Sequence, residues 1–271
     1  MTISIIGLGW LGTPLASELM QQGYNIKGST TRQDKRELLL AKGIQAFEFE
    51  LDPEVKGELP EPLFETDILL INIPPSTRSK PADFHPKQIR QLRDFIIKYQ
   101  IKKVIYVSAT SVYPSKNQLA RETATLTLAN TGNPTLLTAE NLLWENKSYD
   151  LTVIRFGGLL GDDRIPGRYF SGKENVAGHP PVNYIHRRDA VRAISWILTK
   201  NLWNETYNII CPEHPAKKEV FEKNAADFGF APPSSYENPP KQKWKKISAD
   251  KWIQTGFTFE FNNPLEFSYT P

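Results

Sequence analysis

The chain has one cysteine, Cys211, in 271 residues, so it has no disulfide framework and no cysteine-built metal site. Histidine is also scarce, with four in all. His85, His179 and His214 are widely separated, and no His, Asp and Glu spacing reads as a metal set, so no metal is expected. Long apolar runs are missing. The N-terminal Ile3–Ile6 segment is too short for a signal-peptide core, and no stretch approaches the roughly 20 apolar residues that span a bilayer. A cytoplasmic protein is the simplest expectation. Charge of one sign is lacking too: 33 Lys and Arg face 30 Asp and Glu, a net +3, too little to make nucleic acid or an acidic membrane the main partner. There is no internal repeat. What remains is ordinary for a globular chain, 39% hydrophobic and 23% charged, with 21 prolines that point to long ordered loops. The length suits one large domain or one domain with a smaller appendage.

The most informative stretch is Thr2–Gly23. Ile3, Ser4, Ile5 and Ile6 read as a strand, and they run into Gly7-Leu8-Gly9-Trp10-Leu11-Gly12. A helical pattern follows through Leu15, Ala16, Leu19 and Met20. A dinucleotide pyrophosphate needs this arrangement: Gly7 for the tight turn, Gly9 for close approach of backbone N–H groups, Gly12 for close helix packing, and the positive helix end for the anion. The competing reading is a tight βα turn in another doubly wound fold.

Alternation continues beyond that turn. Strands are expected at 24–29, 45–51, 68–73 and 104–107, and a helix at 33–42 stopped by Gly43. Another helix carries Ile89, Leu92, Phe95, Ile96 and Tyr99 at helical spacing. This predicts a Rossmann-type α/β fold, a doubly wound parallel sheet whose strand ends form the ligand edge. That edge carries the candidate cofactor residues Gly7, Leu8, Gly9, Trp10, Leu11 and Gly12. It also carries Ser29, Thr30, Thr31 and Arg32, then Asp52, then Asn72, Ile73 and Pro74, and then Ser108. An NAD site usually has an acid at the end of the second strand. Here Ser29-Thr30-Thr31-Arg32 stands there instead, which suits the 2′-phosphate of NADP, with NAD the other option. Arg32 as a solvated residue at a helix start is the alternative, and Asp34 reads as part of that helix start.

The second half is less regular. A helix near 136–145 and a strand at 151–156 lead into a Gly-, Pro- and Arg-rich loop at 157–181. An extended piece at 183–186, a helix at 189–200, a strand at 207–210 and a helix at 217–228 follow. The organisation expected is a dinucleotide domain over 1–160, completed by 186–212, with a smaller substrate lobe from 161–185 and 213–271. The run Lys241–Lys246 with Trp244 reads as a wet edge.

IGLGWLGTPLA resembles the opening of the β-hydroxyacid and 6-phosphogluconate dehydrogenases, but the strand-like, proline-rich region after 150 does not resemble their helical domain. The wider resemblance is to the extended short-chain dehydrogenase/reductases of the nucleoside-diphosphate-sugar epimerase or dehydratase type. Val107-Ser-Ala-Thr-Ser-Val-Tyr113, Arg155-Phe-Gly-Gly-Leu-Leu-Gly161, Asn183-Tyr-Ile-His-Arg-Arg-Asp189 and Tyr207-Asn208-Ile209 carry it in order. The glycine spacing departs from that family's usual GxxGxxG, which suggests an atypical branch.

The resemblance implies a reaction run by a tyrosine, a lysine four residues later, and a Ser or Thr on the reacting oxygen. The hydroxyl position, four before the tyrosine of the Val-Tyr pair, is Ala109 here. No tyrosine occurs between Tyr113 and Tyr149, so the Tyr/Lys pair has no counterpart. Ser111 would share Ala109's face if the strand continues, and Tyr113 is the other catalytic candidate. Thr110, Arg164, Arg168, Asn183 and His186 are candidates for the substrate, with Asp189 reading as an N-cap. The functional expectation is an NADP-dependent oxidoreductase or epimerase with a degenerate triad. It would act on a small polar substrate, anionic or a nucleotide sugar, as a monomer or homodimer. The alternative is a non-catalytic NADP-binding sensor.

Overall fold

The computed structural model describes residues 1–76 and 79–270. Strand β1 (Thr2–Ile6) is buried from Ile3 onward, as a central strand covered on both faces must be. Helix α1 (Gly12–Gln21) buries Gly12, Leu15, Ala16 and Leu19, a single face at three- and four-residue spacing. Gly23, at φ +87°, turns the chain out of it. Then come β2 (Asn25–Thr30), α2 (Gln33–Ala41) and β3 (Gln45–Glu48).

The strand expected over 45–51 is broken. It stops at Glu48, and β4 (Glu50–Leu51) folds back antiparallel onto β5 (Val55–Lys56). Alternation resumes with β6 (Ile68–Ile71), α3 (Phe84–Lys98), β7 (Lys103–Ala109), β8 (Gln118–Ala120), α4 (Pro134–Trp144) and β9 (Asp150–Phe156). The rest comprises β10 (Gly158–Leu160), β11 (Tyr184–His186), α5 (Arg187–Lys200), β12 (Glu205–Ile209), α6 (Lys217–Phe228), β13 (Lys245–Ile247) and α7 (Asp250–Ile253).

Seven strands form one sheet in the order β12-β9-β7-β6-β1-β2-β3. β1 pairs in parallel with β2 on one side and β6 on the other, so the strand order reverses at β1. A doubly wound sheet opens its ligand crevice at the strand ends beside such a reversal. This is the Rossmann-type fold expected from the sequence.

Two compact units are present. The first comprises 1–108, 126–154 and 194–206; the second comprises 109–125, 155–193 and 207–271. Residues 109–125 thus belong to the second unit, whereas the sequence reading placed them with the dinucleotide domain. Inside the first unit two sets of polar side chains are buried. Ser108 donates to Glu140 at 2.6 Å, and Tyr106 lies 2.8 Å from His85, which contacts Gln88 at 3.2 Å. Gln88 in turn donates to the Leu51 carbonyl at 2.7 Å. Burial makes each of these contacts obligatory.

The second unit is assembled from distant segments. β13 pairs with β8, β10 with β11, and Phe170 stacks on Phe221 at 4.6 Å. Asp189 lies within the first turn of α5 and is not its N-cap. Its buried carboxylate accepts from the backbone N–H of Glu260 at 2.8 Å and of Phe261 at 3.0 Å, and from Arg192 at 2.7 Å.

Candidate functional site

The glycine turn is held open from behind. Gly7, at φ +104°, donates its N–H to Ser29 Oγ at 3.1 Å. Asn72 Nδ2 donates to the Gly7 carbonyl at 3.0 Å, and Leu8 N–H donates to the Ser29 carbonyl at 2.7 Å. Gly12 packs so closely that a Cβ there would lie 2.2 Å from the Gly7 oxygen. At Gly9 a Cβ would meet nothing within 4 Å. The space over Gly9 at the start of α1 is therefore available to a ligand, and a pyrophosphate fits the turn as built.

A cavity of about 430 Å³ extends from this turn, wholly within the first unit. Of the anticipated cofactor residues it brings together Gly7, Leu8 and Gly9, then Ser29, Thr30, Thr31 and Arg32, and finally Asp52, Asn72, Ile73 and Pro74. Trp10, Leu11 and Gly12 continue the turn without lining the cavity. Ser108 is not in the lining either; it is buried and turned to Glu140.

Sequence reasoning missed Lys35, Glu50, Lys80, Phe84 and Gln88 in the lining. Lys35 could have been found from its place one turn into α2, three residues after Arg32. Its ammonium is pushed down from its usual range by burial and then by the nearby Arg32 charge. Arg32 is exposed, and its Nε donates to Asp34 Oδ1 at 3.0 Å. That contact, with the guanidinium charge, holds the Asp34 carboxyl down at about 2. Asp52 accepts from Lys80 at 2.7 Å.

The catalytic expectations require correction. β7 ends at Ala109, and Thr110–Val112 turn as a 3₁₀ helix, so the strand does not carry Ser111 onto the face of Ala109. Ser111 is exposed instead. Tyr113 is 1% exposed; its hydroxyl donates to Asn208 at 2.9 Å and accepts from Arg155 at 2.7 Å. Burial pushes its pKa up despite the guanidinium. A proton donor to substrate needs the opposite, so Tyr113 is a structural tyrosine in this arrangement.

His186 is likewise taken up by the fold. Its Nδ1 accepts from Arg188 N–H at 3.2 Å, its Nε2 faces the Ser268 carbonyl at 2.9 Å, and Phe261 packs on its ring at 4.3 Å. Both nitrogens are engaged, and burial lowers its pKa. This removes it as a substrate ligand.

A second cavity, of about 270 Å³, lies wholly within the second unit. Thr110, Ser111 and Asn183 line it, while Arg164 and Arg168 do not. Asn183 spends both ends of its amide on β13, donating to the Lys245 carbonyl at 2.9 Å and accepting from Ile247 N–H at 2.8 Å. The remaining wall includes Lys217, Lys243, Trp244 and Lys245. No group of three or more His, Cys, Asp or Glu that could hold a metal occurs among the described residues. No helix among them is long and apolar enough to cross a membrane.

Comparison with known proteins agrees with this geometry. The NAD-binding domain of 6-phosphogluconate dehydrogenase matches residues 2–56, a likeness that runs past the glycine turn as far as β5. The Escherichia coli protein YeeZ is 31% identical over 267 residues, covering 97% of each chain. Among solved structures, the UDP-glucuronic acid 4-epimerase of Bacillus cereus, in complex with UDP-glucuronic acid and NAD, superposes with a TM-score of 0.77. It is 19% identical and the match covers 98% of this chain and 97% of that one. The UDP-glucose 4-epimerase of Thermotoga maritima with UDP-glucose gives 0.75 at 17% identity, covering 96% and 94%. The fold is that of the NAD-dependent nucleotide-sugar epimerases.

Proposed function

The chain belongs to the family of YeeZ, and from that premise we propose that it is an NADP-dependent oxidoreductase or epimerase acting on a polar, sugar-like substrate. The observation that carries this reading is the first unit's cavity. Its glycine turn leaves room for a pyrophosphate, and the end of β2 offers Thr30, Thr31, Arg32 and Lys35 with no acid on that strand end. Two cations and two hydroxyls suit a 2′-phosphate, which a carboxylate there would repel. Asp34 is the competitor: it holds Arg32 when no phosphate is present.

A bound nicotinamide supplies hydride transfer. The chain's own part is to bind the dinucleotide through the turn and to hold and move protons at the substrate. The two epimerases named above are in complex with UDP-glucose and UDP-glucuronic acid, which supports a sugar-like substrate here. Ala109, the buried Tyr113 and the missing Tyr/Lys pair support a second reading, a dinucleotide sensor without turnover.

Titration of nicotinamide fluorescence with NADPH and NADH tests the cofactor. Tighter NADPH binding is expected, and equal affinities refute the assignment. Epimerisation of UDP-glucose and UDP-glucuronic acid, which leaves the nicotinamide unchanged overall, and NADPH oxidation against simple carbonyls then separate the readings. General acid–base help is worth about 10²–10⁴-fold, so a sensor gives only background rates.

A further inference from the structure

Lys217, Lys243 and Lys245 line the second unit's cavity, and among the described residues of its wall none is Asp or Glu. Lys245 is the one the fold holds in place. Its carbonyl accepts from Asn183, its strand pairs with β8, and its side chain donates to the Tyr113 carbonyl. Side chains alternate along β13, so Lys246 turns the other way and is exposed, while Lys245 is half-buried. An exposed ammonium keeps its water. One carried into a wall against a neutral carbonyl loses hydration and gains no counter-charge, which disfavours the protonated form. The neutral amine suits the position better: one N–H still serves the Tyr113 carbonyl, and the nitrogen lone pair is left for an electrophile.

We propose that Lys245 is a nucleophilic amine that forms an imine with a short 2-oxo acid bound in this cavity. Desolvation in a pocket is one of the ways in which a lysine amine is activated for attack on a carbonyl. The cavity, about 270 Å³, is smaller than the ~300–1,000 Å³ of sites for drug-sized ligands, so the compound is short. Cations on the wall without an acid favour one that carries a carboxylate. The step balances with groups the wall supplies. The Nζ lone pair attacks the carbonyl carbon, and the carbonyl π pair moves to oxygen, within reach of a wall hydroxyl such as Ser111. The nitrogen passes one proton to that oxygen and the Lys217 ammonium gives a second. Water leaves as the C=N bond forms, and the iminium N–H returns a proton to Lys217. Nothing is oxidised or reduced. This activity goes beyond the function proposed above and needs no dinucleotide.

The two lysines divide the work by their surroundings. Burial alone brings Lys245 down to about 8. Burial also lowers Lys217, but Glu237 opposes it, so Lys245 gives up its proton first and Lys217 keeps one to donate. The other titratable groups on the wall are Lys243 and Tyr184, the latter pushed up to about 12 by burial. His214, bonded to the Val182 carbonyl, is lowered by burial, and on the β8 side Arg121 and Asp250 pair with each other. At pH 7 about a tenth of Lys245 is then the neutral amine, against roughly 0.04% of a lysine with the ordinary value of ~10.4.

The test uses the full chain without dinucleotide. Trace acetylation with acetic anhydride between about pH 6 and 11, mapped by peptide mass spectrometry, reads the free amine of each lysine. At pH 7 Lys245 should react at least about tenfold faster than the adjoining Lys246, and its labelling should rise through a midpoint near 8. Glyoxylate or pyruvate with cyanoborohydride should then fix one equivalent of the acid on Lys245 as a secondary amine, and propanal should be fixed less. Lys245→Arg should remove that adduct. Lys217→Met should slow trapping about tenfold or more while Lys245 acetylates as fast as before, a split that a merely structural lysine would not give.

Acetylation of Lys245 no faster than that of Lys246, or with a midpoint near the ordinary ~10.4, overturns the proposal. So does an adduct spread over the exposed lysines, or none on Lys245 with either acid. Both readings are made on the unaltered chain, so they do not depend on a variant that folds. Unchanged trapping in folded Lys217→Met refutes the step as written. NADPH titration of the same preparation reports on the cofactor separately: a protein that forms the Lys245 adduct but binds no NADPH keeps this activity and loses the cofactor assignment.

Discussion

Gly9 and Gly12 are three residues apart in one turn, yet their substitution should have opposite consequences. A Cβ at Gly12 would lie 2.2 Å from the Gly7 oxygen, 3.1 Å from its carbonyl carbon and 3.2 Å from Asn72 Nδ2. The obstacles are backbone and the amide that braces it, so no side-chain rotation relieves the clash. α1 has to lift from the turn, an overpacking that costs about 1–3 kcal/mol. At about 2–4 °C per kcal/mol for a chain near this size, Gly12→Ala should lower Tm by roughly 2–12 °C. At Gly9 the same atom meets nothing within 4 Å and φ is not in the left-handed region. Gly9→Val should therefore change stability by no more than about 0.5 kcal/mol. Its side chain fills the approach to the N–H groups. Losing even one charge-assisted hydrogen bond, ~1.5–3 kcal/mol, weakens binding about 10–150-fold. Thermal unfolding and NADPH fluorescence on both variants give the four numbers needed. Full affinity in folded Gly9→Val, or an unchanged Tm in Gly12→Ala, refutes the reasoning.

Arg32→Asp should reverse the preference for NADPH over NADH, and Asp34→Ala should tighten NADPH by releasing Arg32; parallel titrations check both. Tyr113→Phe removes the buried hydroxyl that donates to Asn208 and accepts from Arg155. It should cost about 1.5–3 kcal/mol of stability in denaturant unfolding, while leaving NADPH affinity unaltered. Burial lowers His85 from 6.5 to about 4, so the unfolded chain takes up this proton first. Stability should be full above about pH 6.5 and decline towards pH 4, by up to ~3 kcal/mol from this group. His85→Gln should flatten that part of the unfolding profile, and an unchanged acid slope would count against it.

The first unit was largely legible because its signals are local. The Gly7–Gly12 turn, the apolar β1 and β6, and the helical spacing of α3 each identify themselves within a few residues. Lys80 and Gln88 join the cavity only through the fold, and nothing near them in the chain marks them. The break after Glu48 and the 3₁₀ turn at Thr110 were missed for another reason. Phe47, Phe49 and Leu51 keep strand alternation past the break, and Thr110-Ser111-Val112 has no glycine or proline to stop a strand. Asp189 looked like a helix cap because its N–H partners lie at residues 260 and 261, far outside any local window. Lys241–Lys246 looked like a solvated edge by composition, and only the pairing of β13 with β8 puts Lys245 into a wall.

That pairing also bears on how the protein is made. β8 ends at Ala120 and its partner begins at Lys245, so at roughly 5–20 residues per second the ribosome takes about 6–25 s to deliver the second strand after the first. During that interval β8 is an unpaired edge, able to pair wrongly with another chain. The carboxylate of Asp189 similarly waits for the N–H groups at 260 and 261. The second unit therefore closes only late in synthesis, whereas the β1–β2–β3 side of the sheet is complete once residue 48 has emerged. Translation speed and chaperone supply should then govern the yield of the second unit far more than that of the first.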